Sequence, residues 1–430
     1  MAGSVAQDGV QAMRPTVSRG QGPVLASKAM AARPAALAFI FVTVVLDMLA
    51  LGVIIPVLPR LVVSFLGGDT ARAAEIYGVF GTVWALMQFV SSPVLGALSD
   101  RWGRRPVILL SNLGLGLDYV LMALAPTLTW LFVGRVISGV TAASVSIAGA
   151  YIADVTPPEQ RARGFGMIGA AFGVGFILGP ALGGVLGVMD PRLPFWVAAG
   201  LSLLNALYGY FVLPESLPRE RRAPLRWRRA NPLGALGLLG SHRELGGLAI
   251  VHFIGRVAHE VLPSVFVLYA GYRYVWDERA LGLFLAAVGL STMIVSGRLV
   301  HPIVSRLGER RALLLALVCG AVGFAIYGLA SVGVVALLAV PIHALWGLGS
   351  PAAQGLMTRR VPASEQGQLQ GALSSLGGIA GLIGPGLFTL TFAWFLGARG
   401  GIALPGAPLL LAALLMLVSL AVAWRATRAR

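Results

Sequence analysis

Gly96-Ala-Leu-Ser-Asp-Arg-Trp-Gly-Arg-Arg-Pro106 is a short polar stretch between two long apolar blocks. It concentrates one aspartate and three arginines in a chain that is otherwise poor in charge. Each flanking block reaches the roughly 20 residues that a helix needs to cross a bilayer. The stretch is therefore predicted to be a loop that joins two membrane-spanning helices.

The whole chain repeats this alternation of apolar blocks and short charged loops. Of its 430 residues, 57% are hydrophobic and 12% are charged, against about 25% charged residues in a typical soluble domain. Backbone polar groups find no partner in hydrocarbon, so such blocks must form helices or a closed barrel. Uninterrupted apolar runs exclude the alternating pattern of a barrel. The predicted fold class is an all-α polytopic membrane protein.

Twelve blocks are predicted to span the membrane, six on each side of a polar break. They lie near residues 36–59, 75–98, 106–125, 128–153, 163–187, 194–213, 246–271, 279–304, 312–331, 333–356, 368–395 and 403–424. The predicted domains are a flexible cytoplasmic tail (1–34), a six-helix bundle (35–213), a cytoplasmic linker (214–245), a second six-helix bundle (246–425) and a short tail (426–430). We hypothesise that translation begins at Met30, just before the first span.

The net charge of +16 is carried by arginines in short loops and in the linker. No basic domain or aromatic strand motif accompanies them, which excludes nucleic acid as a partner. The arginine-rich loops alternate with loops poor in arginine, so the positive-inside rule places both termini in the cytoplasm. Abundant alanine, arginine and glycine with a single lysine indicate a GC-rich bacterial genome. The expected location is a bacterial inner membrane.

An internal repeat is visible in the sequence. Gly103 in the first polar loop matches Gly308 in a similar loop, and Gly179-Pro180 matches Gly384-Pro385, both at a separation of 205 positions. The chain is therefore predicted to contain two matched six-helix halves. In transporters built from such repeats, the substrate path lies between the halves near the bilayer midplane.

Several motifs together resemble the drug/proton antiporter branch of the major facilitator superfamily, and the tetracycline-resistance efflux proteins in particular. They are the loop 96–106, Leu46-Asp47 in span 1, Ala85–Phe89 in span 2, Asp118-Tyr119 in span 3, Gly134-Arg135 in span 4, Ala150–Asp154 at its end and Gly175–Gly184 in span 5. The resemblance implies twelve helices in two pseudo-symmetric bundles. It also implies proton-driven export of small amphipathic compounds by alternating access, in a functional monomer without cofactor or metal.

Two motifs acquire roles from this resemblance. A gating loop would comprise Gly96, Asp100, Arg101, Gly103, Arg104, Arg105, Asp154 and Arg161. From the residues alone, Asp100 can cap a helix N-terminus and meet arginines of the other half, or the arginines only set topology. An antiporter helix in span 5 would use Gly175, Gly179, Pro180, Gly183 and Gly184. Close helix packing is the other interpretation of these glycines.

Ionisable residues within the spans are candidates for proton coupling, because a charge at the bilayer centre costs about 3 kcal/mol. Asp47 in span 1 is the predicted proton carrier, and Arg135 in span 4 is its predicted modulator. A buried aspartate beside an arginine can exchange pairing for protonation. The alternative is a structural salt bridge.

Span 7 carries four polar residues, His252, Arg256, His259 and Glu260, and their spacing places them on approximately one face of a helix. Contact of that face with lipid would be unfavourable. We therefore predict that they line a central cavity, with His259 and Glu260 as further proton-coupling residues. The predicted substrate cavity comprises Gln88, Asp118, His252, Arg256, Thr292, His343 and Trp346. Two alternatives remain: a structural hydrogen-bond network in span 7, and a solvated position for Asp118 near the surface.

The resemblance fails at two positions of the second half. Tetracycline exporters carry a histidine in span 8 and an aspartate in span 9, where this chain has Thr292 and Gly320. Either the coupling chemistry has moved to span 7, or the substrate differs. A proton-coupled importer of a small nutrient and a non-transporting receptor are the alternative functions. A membrane enzyme is poorly supported, because no catalytic triad order, metal-ligand spacing or phosphate-binding loop is present in a plausible context.

Overall fold

The structure is a computed structural model that describes residues 22–142, 144–156, 161–222, 234–242, 245–362, 365–396 and 403–428. All regular elements within these ranges are helical. Some predicted features lie outside the described part: residues 1–21 of the tail, part of the linker (223–233), residues 429–430, and the side chains of Met30 and Arg161.

The first half begins with α1 (Gly22–Ile54) and ends with α8 (Leu193–Val212). Between them lie α2 (Leu58–Phe65), α3 (Thr70–Trp102), α4 (Arg104–Leu124), α5 (Leu128–Thr141), α6 (Ser144–Val155) and α7 (Arg161–Met189). Helix α1 begins earlier than predicted, so residues 22–34 are helical rather than part of a flexible tail. This segment is rich in alanine, the strongest helix former.

The second half begins with a short helix, α9 (Gly237–Ser241), and ends with α17. The elements that follow α9 are α10 (Gly246–His259), α11 (Val267–Tyr274), α12 (Glu278–Ile294), α13 (Val300–Leu329), α14 (Gly333–Ala344), α15 (Gly349–Thr358), α16 (Gln366–Leu396) and α17 (Ala407–Ala426). A π-helical turn, Leu262–Phe266, joins α10 to α11. Pro263 lacks an N–H group, which explains why the regular α-helical bonding is interrupted there.

Eleven helical segments of the described chain are long and apolar enough to cross a membrane. One of them, Glu278–Leu329, has 52 residues, which is about twice the required length. Gly308 inside it adopts φ 76° and ψ 158°, and Gly103 adopts φ 107° and ψ 157° at the matching place of the first half. Positive φ favours glycine, which has no Cβ. Gly308 divides the long segment in two and thereby completes the twelve predicted spans.

Two pairs of helices join the halves: α7 packs along α12, and α3 packs along α16. Glycines bring the backbones together. A Cβ added to Gly289 on α12 would lie 3.1 Å from the carbonyl oxygen of Phe176 on α7, and one added to Gly81 on α3 would lie 2.9 Å from Pro385 on α16. Such close approach is typical of helices that associate in lipid.

The two halves are held together at one end of the molecule. At that end, Arg60 of α2 and Glu278 of α12 form an ion pair with 3.1 Å between Nη1 and Oε1. Toward the other end, which carries the Gly103 and Gly308 loops, an added Cβ would meet nothing within 4 Å at Gly96, Gly166, Gly169, Gly297 and Gly367. None of these five glycines is therefore in close contact with a neighbouring helix of the described chain.

Helix α7 also packs closely against α1 within the first half. A Cβ added to Gly52 of α1 would lie 2.7 Å from the carbonyl oxygen of Gly175 and 3.0 Å from the Cα of Gly179. The two backbones leave no room for a side chain at this crossing.

We expect Gly52→Ala to destabilise the protein by about 1–3 kcal/mol, the usual cost of overpacking. Gly166→Ala is the matched control, because it gains the same helix propensity while its Cβ meets nothing within 4 Å. Thermal unfolding in detergent should show a lower Tm for the first variant only. Equal Tm values for both variants would contradict the tight crossing of α1 and α7.

Candidate functional site

Asp47 on α1 and Arg135 on α5 lie in the interior of the first half. Asp47 is 6% exposed. The Arg135 guanidinium stacks on the Trp84 indole, with 5.1 Å between Cζ and the ring centroid. Both residues lie within electrostatic range of the buried phenol of Tyr119, so they belong to one polar cluster. The structure thus places the two residues in one cluster, while their role in proton coupling remains a prediction.

Asp118 on α4 belongs to the same cluster and is 1% exposed. Neither carboxylate oxygen has a hydrogen-bond partner among the described residues. A Cβ added to Gly134 on α5 would lie 2.9 Å from Oδ1 of Asp118, so the missing side chain of this glycine makes room for the carboxyl group. The alternative of a solvated Asp118 near the surface is therefore wrong.

The side chains of Gln88 and Trp84 on α3 donate hydrogen bonds to neighbouring groups of the first half. Gln88 Nε2 donates to the carbonyl oxygen of Ala142 at 3.4 Å, and Trp84 Nε1 donates to Ser138 Oγ at 3.3 Å. These bonds tie α3 to α5 and its C-terminus. The proposed contact of Gln88 with substrate would have to compete with this bond.

The polar residues of span 7 lie on α10 and at its C-terminus. Arg256 Nη2 lies 3.7 Å from Glu260 Oε1, and the Arg256 side chain is 43% exposed although it belongs to a membrane-spanning helix. Glycines of α16 lie beside both side chains. A Cβ added to Gly377 would lie 3.7 Å from Arg256 Nε, an ordinary contact, whereas one added to Gly384 would collide with Glu260. His252 is half-buried on the same helix.

Two histidines flank the indole of Trp346. The ring centroids of His259 and His343 each lie 5.5 Å from that of Trp346, and Phe324 lies 4.6 Å from His343. Nδ1 of both histidines is buried without a hydrogen-bond partner in the described part of the chain. The second half therefore contains a group of aromatic rings with two imidazoles, contributed by α10, α13, α14 and the turn after α14.

Thr292 and Gly320 mark the departure from the tetracycline exporters. Thr292 is exposed on α12. Gly320 on α13 faces Trp346, and an added Cβ would lie 3.1 Å from the indole Cγ. An aspartate at this position would displace the indole, so the large ring accounts for the glycine.

Arg104 holds the loop between α3 and α4 against the rest of the first half. Its guanidinium lies 2.5 Å from Asp100 and 3.0 Å from Asp154, and its backbone N–H donates to Glu215 Oε1 at 2.9 Å. Glu215 therefore caps α4, and the expectation that Asp100 would do so is wrong because Asp100 pairs with Arg104 instead. A contact of this loop with the other half remains a prediction.

The second half repeats the Arg104–Asp154 ion pair with reversed charge. Glu309 lies 2.9 Å from Arg359, and these two residues follow Arg104 and Asp154, respectively, by 205 positions. The repeat in the sequence thus extends to a contact between side chains, with the acid and the base exchanged.

The arginines that follow these residues also correspond. Arg105 Cζ lies 5.8 Å from the centroid of the Tyr210 ring on α8, and Arg310 Cζ lies 5.2 Å from the centroid of the Trp424 ring on α17. Arg101 is exposed beside this loop. Each half therefore stacks an arginine on an aromatic ring of its last helix.

The glycine motif of α7 contacts both halves. Gly175, Gly179 and Gly183 face α1, whereas Gly184, one turn from Pro180, meets the backbone of Glu278 on α12. Close packing of α7 against α1 and α12 is sufficient to explain these glycines. The link of the motif to export remains a prediction.

Comparison with known proteins identifies the family. Residues 40–385 match the Major Facilitator Superfamily. The class C tetracycline resistance protein of Escherichia coli is 39% identical over 358 residues, which cover 83% of this chain and 90% of that protein. The class G protein of Vibrio anguillarum is 38% identical over 356 residues, with 83% and 90% covered.

Solved structures share the fold. The human organic anion transporter MFSD10 (TETRAN) is 25% identical with a TM-score of 0.68, covering 91% of this chain and 99% of that chain. The nucleoside transporter NupG is 14% identical with a TM-score of 0.73, covering 92% and 100%, which shows the fold alone. The predicted all-α fold is confirmed. This chain belongs to the Major Facilitator Superfamily and is a multi-pass membrane transporter of small molecules, not an enzyme.

Proposed function

We propose that the protein is a proton-coupled antiporter that exports small amphipathic compounds, with tetracycline-like drugs as candidate cargo. Asp47 carries the proposal: it is 6% exposed in a membrane-spanning helix and shares a cluster with Arg135 and Asp118. Ionisable groups at this depth are costly and mark proton or substrate pathways. A carboxylate that alternates between protonation and pairing with arginine can couple proton movement to export of the cargo.

The names of the relatives support a drug as cargo, because they describe tetracycline resistance proteins. The second half of the chain supports coupling residues that differ from those of the tetracycline exporters. Trp346 fills the space beside Gly320, and His259 with Glu260 supplies polar groups on the other helix that approaches this region. We therefore assign second-half coupling to His259 and Glu260, and the cavity wall to Arg256 and Trp346.

We place the protein in the inner membrane of a bacterium with both termini in the cytoplasm. The arginine-rich loops lie at the end opposite the Arg60–Glu278 ion pair, and the positive-inside rule assigns that end to the cytoplasm. The structure then corresponds to an inward-facing state that can take cargo from the cytoplasm or the inner leaflet. One chain contains both six-helix bundles, so a monomer is sufficient for alternating access.

The Arg60–Glu278 ion pair closes the outer end in this scheme. A Cβ added to Gly187 on α7 would lie 3.2 Å from Glu278 Cγ, and one added to Gly271 on α11 would lie 3.5 Å from Arg60 Nη2. The pair is therefore enclosed by helices of both halves, with side chains 30% and 17% exposed. Opening toward the outside has to break it.

Asp47→Asn should abolish proton-coupled efflux and leave the amount of inserted protein unchanged, because it preserves shape and removes the titratable group. Proton flux in everted vesicles on addition of tetracycline provides the measurement, since an exporter dissipates a preformed gradient and an importer does not. Asp69→Asn is the control: Asp69 caps α3 in an exposed turn, and asparagine caps equally well. Gradient-driven transport at the original level by Asp47→Asn would remove Asp47 from this role.

Glu260→Gln and His259→Ala should each shift the pH profile of transport by about one pH unit, the size of effect expected from a neighbouring charge. Glu260→Gln removes the carboxylate that lies 3.7 Å from Arg256. His301→Ala, at an exposed position of α13, controls for loss of a histidine elsewhere. If neither variant changed the pH profile of transport, His259 and Glu260 would have a structural role only.

Glu278→Gln should favour the outward-open state about fivefold, because a partly exposed ion pair contributes about 1 kcal/mol. The double variant Arg60→Glu/Glu278→Arg should restore the original balance by forming the pair in reverse. Either reversal alone places two like charges next to each other.

Spin labels at the closed end can measure this balance. Ser64→Cys and Val332→Cys place labels on exposed positions of the two halves, in a Cys319→Ser background that removes the native thiol. The population at long distance should rise with Glu278→Gln and return to its original value in the double variant. No rise with Glu278→Gln would show that the ion pair does not hold this end closed.

A further inference from the structure

The end of α17 carries a group of arginines around one tryptophan. Trp424 is 46% exposed, and Cζ of Arg310 and Arg428 lie 5.2 Å and 5.4 Å from its ring centroid. Arg310 Nε also donates to Thr427 Oγ1 at 3.2 Å, which fixes its position. Arg425 is exposed beside the indole in the sequence. We call these five residues the Trp424 cluster.

The Trp424 cluster has no acidic partner in the described part of the chain. None of the observed ion pairs includes Arg310, Arg425 or Arg428. Two guanidiniums on one indole repel each other, and each gains only a modest cation–π attraction. An arrangement of this kind fits an anion supplied from outside the chain.

The cluster continues the lipid-facing side of α17. Leu414, Leu417 and Val418 are 55%, 51% and 44% exposed, and their spacing places them on one helical face with Trp424. Along this face the side chains change from aliphatic to indole to guanidinium. Helices show the same order where they pass from hydrocarbon through the interface to the headgroups. The guanidiniums therefore lie at headgroup level.

We propose that the Trp424 cluster binds the headgroup of an anionic phospholipid. Guanidinium donors match phosphate oxygens in pairs, and basic pockets at this level of a helix bundle take anionic headgroups. The aliphatic stripe of α17 offers a surface for the acyl chains, which a free phosphate ion lacks. The lipid is therefore the ligand to which both parts of the surface are complementary.

The first half contains the matched comparison. Arg105 stacks on Tyr210 at the corresponding place, but acidic groups from other segments reach its neighbour Arg104: Asp154 pairs with the guanidinium, and Glu215 accepts a hydrogen bond from the backbone N–H. These acids lie close to the arginines of the first half, whereas the observed ion pair of Glu309 in the second half is with Arg359 and not with the Trp424 cluster. Preference for an anionic lipid should therefore depend on the second half and not on Arg105.

Native mass spectrometry of the full chain with phosphatidylglycerol or phosphatidylethanolamine tests the proposal. Arg425→Gln and Arg428→Gln should each weaken phosphatidylglycerol binding about fivefold and the double variant about 30-fold, with little change for phosphatidylethanolamine. Arg105→Gln and the pair Arg72→Gln/Arg279→Gln, which removes two exposed charges at the opposite end, should retain the preference.

Three results would overturn the proposal: equal binding of both lipids by the unchanged protein, equal loss in the Arg72→Gln/Arg279→Gln control, or displacement of phosphatidylglycerol by inorganic phosphate at millimolar concentration. The last result would assign the site to a free ion. If the double variant fails to fold, Arg428→Gln alone carries the test, because this side chain is exposed. A similar loss in Arg105→Gln would show that the effect follows net charge rather than the cluster.

Discussion

The close packing of α7 on two neighbours is the constraint on which the arrangement of the halves depends. One face of α7 meets α1 of its own half at Gly52 and Gly179, and another meets α12 of the other half at Gly184 and Gly282. Helices in lipid gain little from burying apolar surface and associate through such close approach instead. Because side chains are absent at both contacts, the backbone of α7 lies directly against α1 on one side and α12 on the other.

Each half contains its own polar cluster. Asp47 lies in one cluster with Arg135 in the first half, and Glu260 lies beside Arg256 in the second. Helices α3 and α16, which pack along each other, flank the two clusters through Trp84 and Gly377. The contact between α3 and α16 therefore joins two helices that each lie beside one of the clusters.

The sequence predicted features that recur along the chain, and it missed contacts that join distant segments. The twelve spans follow from repeated apolar blocks, and the clustering of Asp47 with Arg135 follows from the resemblance. Glu215 caps α4 from 111 positions away, and no periodicity connects it to the loop. The indole of Trp346 fills the space at Gly320, which depends on side-chain volume across two helices. Neither contact leaves a pattern that a single sequence can display.

The reversed ion pair could have been predicted from the sequence, because Glu309 and Arg359 follow Arg104 and Asp154 by the repeat distance of 205 positions. Reversal has no effect on how well each loop is held, since the attraction between two charges is the same in either orientation. Each half therefore preserves the contact between its polar loop and the C-terminal end of a later helix through opposite charges, whichever residue carries the acid. What the repeat keeps is the ion pair itself and not the sign of either side chain.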